Sequence, residues 1–265
     1  MSRGAFTREG LAAGKGPGVR LTGRVAVSVL LAGALAAQTR PAPPIPKYEV
    51  RRAASPISID GKVDEKAWSA AEAVQLAFPW ESQTGARQKT LARLLWDDEN
   101  LYVSYECEDA DVTAQFTGRD DPTYRDDAVE IFINPRPQQQ TTAYIGLEMN
   151  ARGVLYDYLS VAVTPKSRLV FKRFNLDGVK VAASVNGTLN NREDTDRGWS
   201  LEVSIPWANF EEFSKRPSPG ASWSFNLNRW DGVEPDRRMS IWSDSMTERP
   251  NPHVPDRFGE MLFVQ

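Results

Sequence analysis

The chain has 265 residues, one cysteine, one histidine and a formal charge of −3. A lone cysteine rules out an internal disulfide and a thiolate zinc cluster. The acidic balance argues against nucleic acid as a partner, because phosphates call for basic surface.

Residues 1–37 read as a removable export signal, with Arg20 and Arg24 ahead of an apolar run over 25–31 that passes into small residues ending at Ala36. The run is shorter than the roughly 20 residues a spanning helix needs, so a secreted or periplasmic protein without a membrane span is expected. These residues hold five Lys/Arg against one Glu, which leaves about −7 on the remainder. Residues 38–47 form a proline-rich extended spacer. One domain is expected over 48–265.

Within that domain, short segments of alternating polarity bounded by turn residues recur at 90–96, 101–108, 128–133, 143–149, 154–158, 179–185, 199–205, 223–230 and 261–264. This spacing predicts an all-β protein with sequential antiparallel pairing, of a length that fits one β-sandwich behind a removable segment. The stretches 97–100 and 150–153 read as hairpin turns. Short peripheral helices are expected after Asp64, as its N-cap, and after Pro206. Trp68 reads as a core plug, and Cys107 as a small buried hydrophobe in phase with Leu101, Val103 and Tyr105.

Carboxylates gather around the glycine turn at Asp60 and Asp64, where oxygen ligands suit calcium in a structural role. Residues 119–135 run from an acid-rich loop, with Tyr124 as its one aromatic, straight into a strand. There Val129, Ile131 and Ile133 face one way and Glu130 and Phe132 the other. That places Glu130 on the sheet face opposite the core.

Of eight tryptophans, Trp96, Trp199 and Trp223 fall in phase with strand hydrophobes. Trp230 instead shares a face with Asn226 and Asn228. Aromatic faces beside amides and carboxylates suit a sugar, whose C–H surfaces stack on rings while its hydroxyls need fixed hydrogen-bond partners. His253 is the only candidate for a histidine base, and no Gly-x-Ser-x-Gly elbow presents a nucleophile. Acids are plentiful, yet no pair is singled out for glycoside hydrolysis. A non-catalytic binding role is therefore expected, with His253 a candidate ligand contact.

Taken in order, the segments at 59–68, 94–103, 127–133, 148–150, 198–207 and 225–229, then Trp242-Ser243 and Phe258-Gly259, resemble the family 9 carbohydrate-binding modules. The resemblance covers the chain from about Tyr48 to Gln265. It implies a sandwich of the DOMON-like group, structural calcium, and a sugar of the glucan or xylan class held between two aromatic side chains. It also implies that Tyr124 is the first clamp aromatic and Glu130 a sugar-bonding glutamate. By the same resemblance Glu148 stands where the family places a sugar-contacting arginine, with Asn150 beside it, and Pro252-His253 stand where a second clamp aromatic is expected. Action beside separate glycoside hydrolases in carbohydrate catabolism follows from the same likeness. Two alternatives stay open: a haem b electron-transfer domain with Met149 and His253 as axial ligands, and an envelope protein-interaction module.

Overall fold

The computed structural model describes residues 41–139, 143–164 and 167–265, so the expected export signal lies outside the described residues. Among them the strands in chain order are β1 (Lys47–Arg52), β2 (Val74–Gln75), β3 (Thr90–Trp96), β4 (Asn100–Cys107), β5 (Ala128–Asn134), β6 (Ala143–Asn150) and β7 (Leu155–Thr164). They continue as β8 (Ser167–Phe171), β9 (Lys180–Asn186), β10 (Gly198–Pro206), β11 (Ser222–Asp231), β12 (Arg238–Ile241) and β13 (Gly259–Phe263). Residues Ala42–Gln265 form one compact unit.

The strands make a sandwich of two layers. The first runs β8-β7-β6-β5-β11-β13-β1, with β12 on β11, and the second runs β1-β3-β4-β10-β9, with β2 on β3. Strand β1 belongs to both: residues 47–50 pair with β13, and Arg51 and Arg52 pair with β3. Both of these pairings are parallel, whereas every other named pair is antiparallel. The expected antiparallel β-sandwich is present, with parallel pairing only at this seam. A strand that opens the domain and lies beside the closing strand has no hairpin to set its direction, so its orientation is decided by packing.

Alternation explains the layers. Val129, Ile131 and Ile133 of β5 and Ile145, Leu147 and Met149 of β6 turn inward, as do Trp223, Phe225 and Leu227 of β11. They meet Leu94, Trp96, Val103, Tyr105, Leu201 and Val203 of the second layer in one core. Trp199 and Cys107 lie in that core as expected. Trp68 plugs a separate cluster with Ala67, Leu95 and Tyr102. The two expected helices are only 3-10 turns, at Lys66–Ala70 and Trp207–Phe210. Glu65, not Asp64, stands at the N-cap of the first, and no side chain caps it. Strands β8 and β12 have no counterpart among the expected segments: among the described residues β8 pairs only with β7, and β12, four residues long, pairs with β11 and bridges Ala77 through Ile241.

Buried ions fasten the strand ends around β5. Arg229 is 0% exposed and its guanidinium donates to Asp109 at 2.8 Å and Asp231 at 3.0 Å, while Arg238 pairs with Asp231 at 2.7 Å. Asp127 accepts the backbone N–H groups of Thr113 and Gly232, and Asp126 those of Gln115 and Phe116. The acidic loop ahead of β5 is thus tied down by buried acids that satisfy turn backbone.

Gly61 shows how tightly the turn of residues 59–65 lies against the second layer. Its φ is +87°, and a Cβ there would come within 2.6 Å of the Ala183 carbonyl carbon. Gly61→Ala is expected to cost about 1 to 3 kcal/mol in stability, because neither the left-handed backbone nor the facing main chain can yield cheaply. Urea denaturation of the variant would read this as a lower midpoint, and an unchanged midpoint would contradict the close approach.

Candidate functional site

The outer face of the first layer is built by strand register. Asn228 of β11 lies opposite Glu130 of β5, Glu130 opposite Glu148 of β6, and Glu148 opposite Tyr156 of β7. Four side chains therefore form one row across four strands, spaced by the roughly 4.8 Å between neighbours. The adjacent row is Asn226, Phe132, Gly146 and Tyr158. A Cβ on Gly146 would approach the Tyr158 ring to 2.4 Å, so glycine here lets that ring lie across the sheet. From this position Tyr158 donates its hydroxyl proton to Glu148 Oε1 at 2.8 Å.

Aromatic rings wall the rows. Phe132, Tyr144, Tyr156, Tyr158 and Phe258 pack as one cluster with Tyr124 and Val170 against it. Tyr124 sits in the 3-10 turn Thr123–Arg125, fixed by the Thr123 hydroxyl donating to the Glu148 carbonyl at 2.9 Å. Its ring centre lies 6.0 Å from that of Tyr156. Trp230 closes the other side with Trp80, Met239 and Ile241. The Arg237 guanidinium lies 4.3 Å from the Trp230 ring centre and donates to the Tyr124 carbonyl, so one arginine links the two aromatics.

Glu130 faces away from the core, as its alternation implies, but is only 1% exposed, and Glu148 only 3%. Burial, and next the neighbouring Glu148 charge, raise the Glu130 carboxyl well above its ordinary value. Burial likewise pushes Glu148 up to about 7, against the opposing hydrogen bond from Tyr158. Glu130 Oε2, Glu148 Oε2, both side-chain atoms of Asn228 and Arg237 Nε are buried without a hydrogen-bond partner among the described residues. Polar atoms left this way are costly, and here they converge on one row.

The other sequence-derived candidates separate. His253 lies on this face: its ring stacks on Phe132 at 5.0 Å and 12°, and its Nδ1 lies 2.7 Å from the Tyr144 hydroxyl. Burial, then Arg168, holds it neutral by lowering its pKa well below the ordinary value. Asn150, a candidate ligand contact, is engaged within the chain: its Nδ2 donates to Phe116 O and Asp126 Oδ2 in the loop ahead of β5, and its Oδ1 accepts from the Arg152 and Val154 N–H groups of its own hairpin. The haem alternative loses its axial pair, because Met149 points into the core between the layers while His253 packs on the outside of the same layer.

Sequence reasoning placed Asn228 on the polar face beside Trp230 but missed Tyr156 and, in the adjacent row, Tyr158, and it missed Arg237 as their cover. The alternation of β7, with Tyr156 and Tyr158 out of phase with Leu155 and Leu159, carried a readable signal for the two tyrosines. Arg237, in a loop, carried none.

A second polar group lies on the other layer. Asp60, Glu65 and Glu202 bring carboxylate oxygens within 4.8 Å of one another, and Asp64 contributes none to this group. Glu202 accepts from the Trp68 indole at 2.8 Å and from the Gly61 and Asp60 backbone. Burial first, then the Trp68 hydrogen bond and the Glu65 charge, set its pKa, which is raised to about 7. Glu65 Oε2 is buried without a partner. An all-oxygen donor set with an unsatisfied carboxylate atom fits a hard cation such as calcium. The interior trio Asp109, Asp127 and Asp231 does not, since Arg229, Arg238 and backbone N–H groups already occupy its oxygens.

A β-sandwich presenting a row of unsatisfied polar side chains between aromatic rings has the make-up of a ligand-binding module. The family model for the Carbohydrate family 9 binding domain-like proteins matches residues 59–265, and the chain belongs to that family. Among solved structures, a proposed carbohydrate-binding protein from Bacteroides uniformis aligns with a TM-score of 0.68 at 21% identity, covering 83% of this chain and all of that one. A family 9 carbohydrate-binding module from Caldicellulosiruptor kristjanssonii in complex with cellotriose aligns at 0.56 and 19% identity, covering 82% and 93%. Its complex with glucose aligns at 0.55 and 19%, covering 82% and 95%. A search of curated proteins gave no significant match.

The raised carboxyls have a stability consequence. Between the ordinary glutamate value of 4.5 and about 7, the folded chain holds protons at Glu148 that the unfolded chain has released. Stability therefore falls as pH rises through that window. Glu148→Gln is expected to reduce the fall by on the order of 2 kcal/mol. Urea denaturation of both proteins at pH 5 and pH 7.5 would test it, and an identical fall in the two would refute the assignment. Glu202 and Asp127, also raised, to about 7 and about 8, maintain a residual slope.

Proposed function

We propose that this domain is a non-catalytic carbohydrate-binding module of a secreted or periplasmic protein, which holds a glucan- or xylan-class saccharide on the outer face of the first layer. The observation that carries this reading is the convergence of unpartnered polar atoms from Asn228, Glu130 and Glu148 in one row walled by Tyr124, Tyr156 and Trp230. Sugar hydroxyls both donate and accept, and so meet carboxylate, amide and guanidinium atoms together, while pyranose C–H faces suit tyrosine rings. Membership of a carbohydrate-binding family and fold neighbours solved with cellotriose and glucose support the same ligand class. The apolar stretch 25–36 and the proline-rich spacer support export. A role beside separate glycoside hydrolases in carbohydrate breakdown completes the proposal, with this domain supplying adhesion and the hydrolase the chemistry.

Calcium held by Asp60, Glu65 and Glu202 belongs to the same reading as a structural ion. It would neutralise a carboxylate trio that otherwise repels itself, and would pin the turn of residues 59–65 to β10.

Isothermal calorimetry with cello- and xylo-oligosaccharides tests the binding proposal. Tyr124→Ala and Glu130→Gln are each expected to weaken affinity by about 1 to 3 kcal/mol, through a lost stacking face and a lost carboxyl hydrogen bond. Circular dichroism should show both variants folded. A wild-type protein that binds nothing across a broad saccharide panel would sink the reading in favour of an interaction module.

For the ion, a chelator is expected to lower the melting temperature and added calcium to restore it, because a ligand of the folded state alone stabilises it by mass action. Melting that ignores both would show that the trio serves the turn only.

A further inference from the structure

The polar row has an imbalance that neutral sugars do not resolve. Glu130 and Glu148 stand opposite each other on neighbouring strands, each with a buried Oε2 that has no hydrogen-bond partner among the described residues, and Asn228 adds an unpartnered Oδ1 and Nδ2 in the same row, with the Trp230 side chain beside the Glu130 carboxyl. Like charges directly opposite on a sheet repel, and little water reaches this pair to screen them. The nearby cations do not cure this. Arg237 lies over the Trp230 ring and donates to the Tyr124 carbonyl, its Nε unpartnered, and it acts on the pair through space as do the exposed Arg168 and Lys172, yet both carboxyls stay raised. His253, on the same face, is held neutral.

A neutral hydroxyl brings one proton to this row and no charge. An ammonium brings three N–H donors and one positive charge. Three acceptors wait for it, Glu130 Oε2, Glu148 Oε2 and Asn228 Oδ1, and its charge offsets the repulsion of the carboxylates. Tyr156, next in the row, and Tyr124 beside it offer aromatic surface to the carbon skeleton and to the cation.

We propose that the Asn228–Glu130–Glu148 row selects a saccharide bearing a free amino group, a 2-amino-2-deoxyhexose of the glucosamine class. This rests on the carbohydrate-binding reading and narrows its ligand. Binding strengthens as pH rises and the carboxyl pair gives up its protons, up to the pH at which the amine itself loses its charge.

Calorimetry on the full-length protein with three trisaccharides separates the possibilities: a glucosamine trimer, its N-acetylated counterpart and cellotriose. The glucosamine trimer is expected to bind about tenfold or more tightly than the other two, the scale of one charge-assisted hydrogen bond. Glu148→Gln, similar in shape, is expected to abolish that preference. Equal or tighter binding of cellotriose would overturn the amino-sugar proposal while leaving the carbohydrate reading intact, and binding of none of the three, with the broad panel also silent, would remove both. A preference that survives in Glu148→Gln would overturn it too, because the amine would then be reading the acidic surface at large. Spermidine binding as tightly as the trimer would overturn the sugar component.

Discussion

Burial of both faces of β5 is the constraint on which the rest of the structure depends. All seven residues from Ala128 to Asn134 are buried, although only one face points to the core between the layers. The inward face, Val129, Ile131 and Ile133, supplies the hydrophobic contact that holds the sandwich closed. The outward face carries Glu130 and Phe132, so a carboxylate is taken out of water by the same strand that stabilises the fold. Desolvation of that carboxylate is a cost the folded chain bears, and it is redoubled by Glu148 in register beside it. Strained electrostatics of this kind concentrate at binding sites, where a ligand supplies what the protein lacks.

Everything that covers the outward face is held by the ends of β5 and its neighbours. Asp126 and Asp127 fold the acidic loop back so that Tyr124 arrives over β6. Arg229 stitches the end of β11 to Asp109, beyond the end of β4, and Arg238 closes β12 onto Asp231. A buried ion network adds little net stability when compared with well-packed apolar residues, but removal of one partner leaves a stranded charge. Its effect here is to fix where the covering loops lie. The site is thus built on strands, with side-chain positions set by register, and roofed by loops set by buried ions.

The two carboxylate groups on opposite layers illustrate different uses of the same chemistry. Glu202 is turned toward a glycine turn and an indole, each donating to it, and only Glu65 leaves an oxygen unsatisfied. That arrangement organises the chain around itself. Glu130 and Glu148 leave an oxygen each, and the groups around them are aromatic.

Much of this was written in local sequence. Alternation placed nearly every long strand and assigned Val129 and Glu130 to opposite faces, because a side-chain period of two needs no knowledge of partners. The turns at 97–100 and 150–153 were legible because their residue types satisfy their own backbone, as the Asp97 and Asn150 side chains do. Ordered motifs carried the family. What the sequence could not determine is which residues share a transverse row, since Asn228, Glu130, Glu148 and Tyr156 come from four strands with pairings fixed only by the assembled sheet. Nor could it show that Glu130 is buried, that Asn150 ties its hairpin to the loop ahead of β5, that Met149 and His253 lie on opposite faces, or that β1 runs parallel to both its neighbours. Each of these depends on contacts between segments distant along the chain, and packing decides such contacts where local propensity is silent.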